Sequence, residues 1–165
     1  MRPAQRQGHG LDFHRLSVDP GRPLILGGTT IPSDLALLGH SDADVILHAL
    51  SDALLGALAR GDIGDLFPDT EERYKNMDSQ LILKAALDLM QKDGYHLANV
   101  DLTVMGEVPR IKPHRLAIRE RLSELLGLPL SSISLKATTT ETMGALGRKE
   151  GVGCMASVLL LDAGP

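Results

Sequence analysis

Two stretches decide how this chain folds: Gly39-His40-Ser41-Asp42-Ala43-Asp44-Val45-Ile46-Leu47-His48 and, upstream of it, Asp12-Phe13-His14. Ser41 is typical of a helix N-terminus, with Asp44 in the first turn, so a helix is predicted over about 41–59. Apolar residues recur at helical spacing along it, namely Val45, Ile46, Ala49, Leu50, Ala53, Leu54, Ala57 and Leu58. Asp12 and His14 share one face of an extended strand, because strand side chains alternate.

Asp12, His14 and His48 together predict a zinc site. Three protein ligands with one open position are the arrangement of a catalytic zinc rather than a structural one. Asp44, His48 and Asp52 fall on one helical stripe, which would give the second ring nitrogen of His48 a carboxylate partner. Taken alone, the Asp-x-His pair is more often a strand-end carboxylate beside a surface histidine, and such a stripe is as often a solvated helix face.

Composition limits the class of protein. The 165 residues predict a single domain over 1–165, with residues 1–6 flexible. A formal net charge of −4 argues against nucleic acid as the main partner. The single cysteine, Cys154, excludes an internal disulfide and fits a reducing compartment. We expect no membrane span, because no apolar stretch reaches about 18 residues, and residues 1–7 lack the apolar core of a secretion signal.

Predicted strands and helices alternate along the chain. Strands are predicted over 7–14, 24–27 and 100–104, from Ile133, and over 152–161; helices are predicted over 41–59 and 79–92, and from Pro113 to Gly127. This order predicts an α/β or α+β fold, with one mixed β-sheet and helices on one face. The last strand is apolar almost throughout, which indicates that both of its faces are covered. We therefore expect the second sheet face to pack in a homo-oligomer.

Two further clusters are suited to phosphate. Thr138-Thr139-Thr140-Glu141 follows the strand that carries Lys136, and it offers hydroxyl donors and a hard carboxylate ligand for Mg²⁺ or Mn²⁺. The loops 106–112 and 144–151 each carry two cations. Taken alone, these segments are nearly as compatible with a Thr-rich strand edge and with ordinary connecting loops.

Five segments follow one another in a colinear pattern that covers the chain from residue 7 onward. They are Gly8-His9-Gly10-Leu11-Asp12-Phe13-His14, His40-Ser41-Asp42-Ala43-Asp44-Val45 through His48, Gly61-Asp62-Ile63-Gly64, Phe67-Pro68-Asp69-Thr70, and Lys136-Ala137-Thr138-Thr139-Thr140-Glu141. In order and spacing they resemble the 2-C-methyl-D-erythritol 2,4-cyclodiphosphate synthase family of the non-mevalonate isoprenoid route.

The resemblance implies a metal-dependent phosphorus–oxygen lyase of the bacterial cytoplasm. Its small-molecule substrate would be the cytidine diphosphate 4-diphosphocytidyl-2-C-methyl-D-erythritol 2-phosphate. The 2-phosphate would attack the β-phosphate, giving the cyclic diphosphate and CMP. The resemblance also implies a homotrimer with active sites between neighbouring subunits, and this agrees with the covered second sheet face expected above.

The resemblance assigns roles to individual residues. It implies one zinc per subunit on Asp12, His14 and His48, and Mg²⁺ or Mn²⁺ on Glu141. His40 and Thr139 match positions that stabilise the transition state. The matched substrate-binding residues are Ser41, Asp62, Ile63, Gly64, Phe67, Pro68, Asp69, Thr70 and Glu71 near the metal, Gly106, Pro109, Arg110, Ile111, Lys112, Thr138 and Thr140 from the adjoining subunit, and Arg148.

Two positions depart from the family pattern. Ala145 stands where the family commonly has an aromatic residue, so a ring contact with the substrate is not expected. Arg148 matches an arginine that faces an axial cavity holding an isoprenoid diphosphate in some members. The acidic residue associated with that arginine is replaced by Met155, so a more apolar cavity is expected and no axial ligand is assigned.

Two other functions stay open at this point. One is a binding module that senses isoprenoid diphosphates around a structural zinc; it predicts a lost ligand or a broken phosphate loop, and neither is seen. The other is a zinc phosphohydrolase of the same fold, in which water replaces the 2-phosphate and Asp44 or Asp52 serves as the base. Hydrolysis would give an open-chain phosphate and CMP.

Overall fold

The computed structural model describes residues 3–68 and 70–164. Its strands are β1 Gln5–Val18, β2 Leu24–Leu26, β3 Thr29–Ile31, β4 Leu35–Leu38, β5 Tyr95–Met105, β6 Ile133–Thr138 and β7 Gly151–Asp162. Its α-helices are α1 Val45–Ala57, α2 Ile63–Leu66, α3 Ser79–Lys92, α4 Arg115–Leu126 and α5 Gly144–Gly147, and single 3₁₀ turns cover Glu72–Tyr74 and Leu130–Ser132. No α-helix in these ranges is both long and apolar enough to cross a membrane.

One mixed sheet organises the fold. Its strand order is β4-β1-β7-β5-β6, in which only β5 and β6 run parallel. The predicted strand at 24–27 is β2, but its place in the main sheet was predicted wrongly. Gly27 and Gly28 take positive φ values of 61° and 71°, so the chain turns back at once and β2 pairs with β3 in a separate two-stranded sheet. The edge position of the main sheet belongs instead to β4.

Helix α1 is the core of the molecule, and β1 and β7 lie directly against it. It is apolar on nearly all sides because it packs between the sheet and α3, and nearly all of its residues are buried. It begins at Val45 rather than at the predicted residue 41, because the carboxylate of Asp44 caps it and accepts hydrogen bonds from the backbone N–H groups of Ile46 and Leu47. The predicted helix over 79–92 is confirmed as α3, and α4 begins at Arg115, two residues after Pro113.

Strand β1 begins earlier than predicted. Gln5 and Arg6 pair with Leu161 and Leu160 of β7, and the Arg6 guanidinium donates to the hydroxyl of Tyr95 at 3.0 Å. The strand therefore includes the last two residues of the segment 1–6, for which flexibility stays a prediction, while Met1 and Arg2 lie outside the described residues.

The second face of the sheet carries large apolar side chains in the open. Along β1 the residues at even positions face α1, while Leu11 and Phe13 are 55% and 52% exposed on the other side. Met155 of β7, which pairs with Leu11, is 48% exposed. The prediction of helices on one face is confirmed, and in the single chain the other face is an uncovered apolar surface.

Candidate metal centre

Close packing of α1 on β1 positions the three predicted metal ligands. Asp12 and His14 project from β1 toward α1, and His48 lies in the first turn of that helix. The approach depends on Gly8 and Gly10, since a Cβ atom on either would lie 1.9 Å from a carbonyl oxygen of the helix, that of Ala53 or Ala49. Without side chains at these two positions, strand and helix meet backbone to backbone.

The three side chains converge on one point. Asp12 Oδ2 lies 3.0 Å from His14 Nε2 and 3.1 Å from His48 Nδ1, and the two ring nitrogens are 3.0 Å apart. A nearly equilateral triangle of this size accommodates an ion about 2 Å from each corner, as zinc requires of nitrogen and oxygen ligands. The predicted set of Asp12, His14 and His48 is therefore brought together in a geometry that can hold a metal ion.

Hydrogen bonds on the far side of each ring decide which nitrogen is presented. His14 Nδ1 lies 3.0 Å from the carbonyl oxygen of Leu38, which can only accept, so Nδ1 carries the proton and Nε2 offers its lone pair. His48 Nε2 lies 3.1 Å from Ser41 Oγ and 2.8 Å from Ser79 Oγ. Two imidazoles thus use opposite nitrogens toward the same point.

The expected carboxylate partner for His48 was predicted wrongly. Asp44 is fully buried as the cap of α1, where it also accepts from the backbone N–H groups of Gly27 at 2.9 Å and Gly28 at 2.7 Å. Asp52 accepts from the backbone N–H of Ile63 at 2.8 Å. Both carboxylates are therefore engaged with backbone groups, and two serine hydroxyls take their place beside His48.

The charge balance of the triad favours a cation. Burial opposes ionisation of Asp12, but its contacts with His14 and His48 outweigh burial and hold the pKa of the carboxyl well below its usual range. Burial likewise disfavours a charged His14, yet the Asp12 carboxylate raises the pKa of that imidazole above 6.5. An anion that stays ionised between two ring nitrogens attracts positive charge, which a metal ion can supply.

A cavity of about 450 Å³ opens beside the triad. The structure brings many of the predicted residues to its wall, namely His40, Ser41, Ile63, Gly64, Phe67, Pro68 and Thr70. Asp62 caps the adjoining α2, and the backbone carbonyl of Glu71 lies 3.4 Å from His40 Nε2. Asp69 lies outside the described residues.

Three wall residues were missed from the sequence, namely Tyr74, Met77 and Ile82. The ring of Tyr74 meets that of Phe67 edge to face, with centroids 5.3 Å apart. The only feature in the sequence that could have marked these residues as part of a cavity is their apolar character near the start of α3. Apolar residues also line every buried helix face, so this feature does not distinguish a cavity wall. They make this end of the cavity apolar.

The predicted phosphate residues form a second cluster, separated from the metal triad. The backbone N–H of Gly106 donates to the backbone carbonyl of Thr138 at 3.0 Å, and the Thr139 hydroxyl donates to the Glu141 carboxylate at 3.1 Å. The Glu107 carboxylate accepts from the backbone N–H of Thr142 at 3.1 Å. The peptide bond between Val108 and Pro109 in this loop is cis. Thr138, Thr139 and Glu141 are exposed, whereas the Ile111 side chain lies in the hydrophobic core, so only its backbone is left for a ligand.

The sheet register shows why the two clusters do not meet within one chain. Phe13 pairs with Gly153, Gly153 with Met105 and Met105 with Thr138, so both clusters lie at the same end of the sheet. They are three strands apart, which corresponds to roughly 14 Å. Arg148 also stands away from the cavity wall, with its guanidinium 2.6 Å from Glu150.

The family model described as the YgbB family matches residues 5–161. A curated relative from Leptospira borgpetersenii serovar Hardjo-bovis (strain JB197), named 2-C-methyl-D-erythritol 2,4-cyclodiphosphate synthase, is 56% identical over 156 residues, which are 94% of this chain and 97% of the relative. The bifunctional IspDF from Campylobacter jejuni matches with a TM-score of 0.91 and 41% identity over 96% of this chain, which spans 42% of that protein. IspF from Plasmodium falciparum, solved as a CDP complex, matches with a TM-score of 0.87 and 36% identity over 99% of this chain and 100% of its own.

Proposed function

The chain belongs to the 2-C-methyl-D-erythritol 2,4-cyclodiphosphate synthase family, and from this premise we infer that it is a cyclising, CMP-releasing lyase of isoprenoid precursor biosynthesis. The observation that carries the proposal is the convergence of Asp12, His14 and His48 in the wall of a cavity of about 450 Å³. Its substrate is 4-diphosphocytidyl-2-C-methyl-D-erythritol 2-phosphate.

The donor sets suggest the identity of two metal ions. Two imidazoles and one carboxylate with an open fourth position suit zinc, one per subunit, on Asp12, His14 and His48. Glu141, which follows three threonines in the sequence and accepts from the hydroxyl of Thr139, is a hard oxygen ligand suited to Mg²⁺ or Mn²⁺. When bound, these ions act as Lewis acids on the phosphate groups that react.

The reaction needs positioning more than it needs a protein base. The attacking 2-phosphate has a second pKa of about 6 and is largely dianionic at neutral pH. One of its oxygens bonds to the β-phosphorus, the bond from that phosphorus to the bridging oxygen breaks, and CMP leaves with the electron pair. Holding both groups of one substrate in line contributes about 7–11 kcal/mol at best. His40 from the cavity wall and the hydroxyl of Thr139 stabilise the charge that develops.

The two clusters divide the substrate between them. Near the metal triad, the methylerythritol phosphate lies against Ser41, Ile63, Gly64, Phe67, Pro68 and Thr70. Asp62 at the start of α2 and Glu71 beside His40 belong to the same part of the site, to which the family pattern also assigns Asp69, a residue outside the described ranges. The cytidine and diphosphate contact Gly106, Pro109, Arg110, the backbone of Ile111, Lys112, Thr138 and Thr140. Arg148, in the loop 144–151, is the remaining residue that we assign to substrate binding.

A complete site requires a second subunit, because the two clusters are three strands apart in one chain. The exposed apolar surface of Leu11, Phe13 and Met155 is the side on which copies of the sheet pack together. A homotrimer arranged in this way brings the 138–141 cluster of one subunit to the metal triad of its neighbour. Assembly of the trimer would then bury the open face and complete the site at the same time.

Metal dependence is tested by removing zinc with a chelator and measuring CMP release. We expect turnover to cease and to return when zinc is added together with Mg²⁺. Asp12→Ala and His48→Ala should abolish zinc binding and turnover with the trimer intact. Asp88→Ala, which removes an exposed carboxylate of α3 that pairs with Lys84 at 2.7 Å, is the matched control and should retain both. A variant that loses zinc yet turns over at a near-normal rate would refute the assignment.

The shared site is tested by mixing two inactive variants, Asp12→Ala and Glu141→Gln. If each site takes the triad from one subunit and Glu141 from the next, then random exchange of equal amounts leaves about a quarter of all sites with both parts intact. We therefore expect about a quarter of wild-type turnover in the mixture and almost none in either variant alone. If each chain carried a complete site, the mixture would stay inactive.

A further inference from the structure

Ser79 was predicted only as the first residue of a helix, yet the structure places its hydroxyl against a metal ligand. We propose that Ser79 and Asp42 form a positioning relay that fixes the tautomer of His48 and thereby sets the metal affinity of the site. This inference rests on the proposed function only in that it concerns the same metal centre. It adds two residues that neither ligate the ion nor line the cavity.

The relay is a chain of three groups at the base of the site. Ser79 Oγ lies 2.8 Å from His48 Nε2, the ring nitrogen that points away from Asp12, and the same hydroxyl donates to Asp42 Oδ1. Ser79 is fully buried and His48 is 5% exposed, so bulk water does not compete for these contacts. Through a hydroxyl that bridges them, the carboxylate can determine which nitrogen of the imidazole carries the proton.

The direction of the protons follows from the carboxylate. An ionised carboxylate only accepts hydrogen bonds, so the single hydrogen of the Ser79 hydroxyl points to Asp42. The oxygen of that hydroxyl then faces His48 with its lone pairs, which favours a proton on Nε2. His48 Nδ1 is consequently left unprotonated toward Asp12 and His14, as a metal ligand must be.

Asp42 is itself held in place. Its Oδ2 accepts from the backbone N–H of Ser79 at 3.0 Å, and its Oδ1 accepts from the backbone N–H of Asp44 at 3.1 Å. Its own backbone N–H donates to the carbonyl of Met77 at 3.1 Å. These contacts tie the loop before α1 to the start of α3, so the relay is built on the ends of two helices.

Ser41 does not replace the relay. Its hydroxyl lies 3.1 Å from the same His48 nitrogen and accepts from the backbone N–H of Ala43 at 3.1 Å. A hydroxyl without a carboxylate partner can either donate to Nε2 or accept from it, so it does not select a tautomer. The tautomer of His48 is therefore selected by Ser79 together with Asp42.

The test is zinc affinity, measured by chelator competition in the absence of substrate. Partners of this kind are typically worth 10- to 100-fold in metal affinity, so we expect Ser79→Ala to weaken zinc binding about 10- to 100-fold. Ser79→Thr keeps the hydroxyl and should restore most of the affinity. Ser51→Ala is the matched control, because Ser51 is a fully buried serine of α1 whose hydroxyl donates to the carbonyl of Leu47 at 2.7 Å. The zinc affinity of this variant should match that of the wild type.

Asp42→Asn provides a second, independent measurement. An amide accepts only through its oxygen and donates through its nitrogen, so it no longer fixes the direction of the Ser79 hydroxyl. Zinc binding should weaken, and the Co²⁺-substituted protein should show an altered visible absorption spectrum. The proposal is overturned if Ser79→Ala binds zinc like the wild type, or if Ser79→Thr fails to recover affinity. It is equally overturned if Ser51→Ala loses as much affinity as Ser79→Ala. Loss of cyclisation with these affinity differences intact would count against the proposed function and leave the relay standing.

Discussion

Substitution of Gly10, which contacts the backbone of helix α1, should disturb the metal centre without changing any of its ligands. A Cβ atom at position 10 would lie 1.9 Å from the carbonyl oxygen of Ala49 and 2.7 Å from the backbone nitrogen of Ala53. Both are helix backbone atoms, so no side chain can rotate away. A Cβ contact under 3.0 Å is essentially never seen, so Gly10→Ala requires α1 to move by about 1.1 Å relative to β1.

That displacement is large on the scale of the site. The three ligand atoms are 3.0 to 3.1 Å apart, whereas metal–ligand distances tolerate about 0.2 Å. Ala49 follows His48 directly in the helix, so the shift carries His48 away from Asp12. We expect zinc affinity to fall at least tenfold. Overpacking of this kind should also lower the free energy of unfolding by about 1–3 kcal/mol.

Gly56→Ala is the matched control in the same helix. A Cβ there would have its nearest neighbour at 3.6 Å, the carbonyl oxygen of His9, which is an ordinary contact. Alanine is a better helix former than glycine, so stability should stay the same or rise by about 0.5–1 kcal/mol, with zinc affinity unchanged. Chelator competition and denaturant unfolding measure both quantities. Wild-type zinc affinity in Gly10→Ala would refute the idea that backbone-to-backbone packing positions His48.

Two further outcomes are expected away from the metal centre. The Arg60 guanidinium lies 2.6 and 2.8 Å from the two oxygens of Asp93 and holds the pKa of that carboxyl below its ordinary value of 3.8. Because the pKa is lower in the folded than in the unfolded protein, the ion pair stabilises the fold above pH 3.8, and this stabilisation is lost as the pH falls through the lowered pKa. Arg60→Met should therefore be less stable than the wild type near neutral pH and equal to it in strong acid, and a difference independent of pH would contradict the assignment. Burial raises the pKa of the Cys154 thiol, so a thiol reagent should modify Cys154 only after denaturation, and rapid modification of the native protein would contradict its buried position.

Local sequence patterns were sufficient to identify the metal triad. The alternation of a strand places Asp12 and His14 on one face, and helical spacing identifies the element that carries His48. His48 lies 34 residues beyond His14, and the resemblance to a known family assigned the same three ligands. Helix α3 was predicted with the observed bounds, because its apolar spacing and the glycine after Asp93 mark both the face and the end.

Contacts between distant segments were not predictable in the same way. Ser79 reads as the first residue of a helix, and its approach to His48 depends on how α3 packs against α1. Strand β4 has the sequence Leu-Ala-Leu-Leu, which does not alternate, so only its pairing with β1 identifies it as the edge of the sheet. The distance between the metal triad and Thr138 likewise follows from strand order, which no single segment encodes.

Cyclisation by this protein is tested first by ³¹P NMR with 4-diphosphocytidyl-2-C-methyl-D-erythritol 2-phosphate, Zn²⁺ and Mg²⁺. Cyclisation joins two phosphorus atoms through one oxygen, so we expect a pair of mutually coupled cyclic diphosphate signals that grows together with CMP. Release of CMP with only open-chain phosphates would mean that water, rather than the 2-phosphate, attacks the β-phosphorus, and the protein would then be a hydrolase.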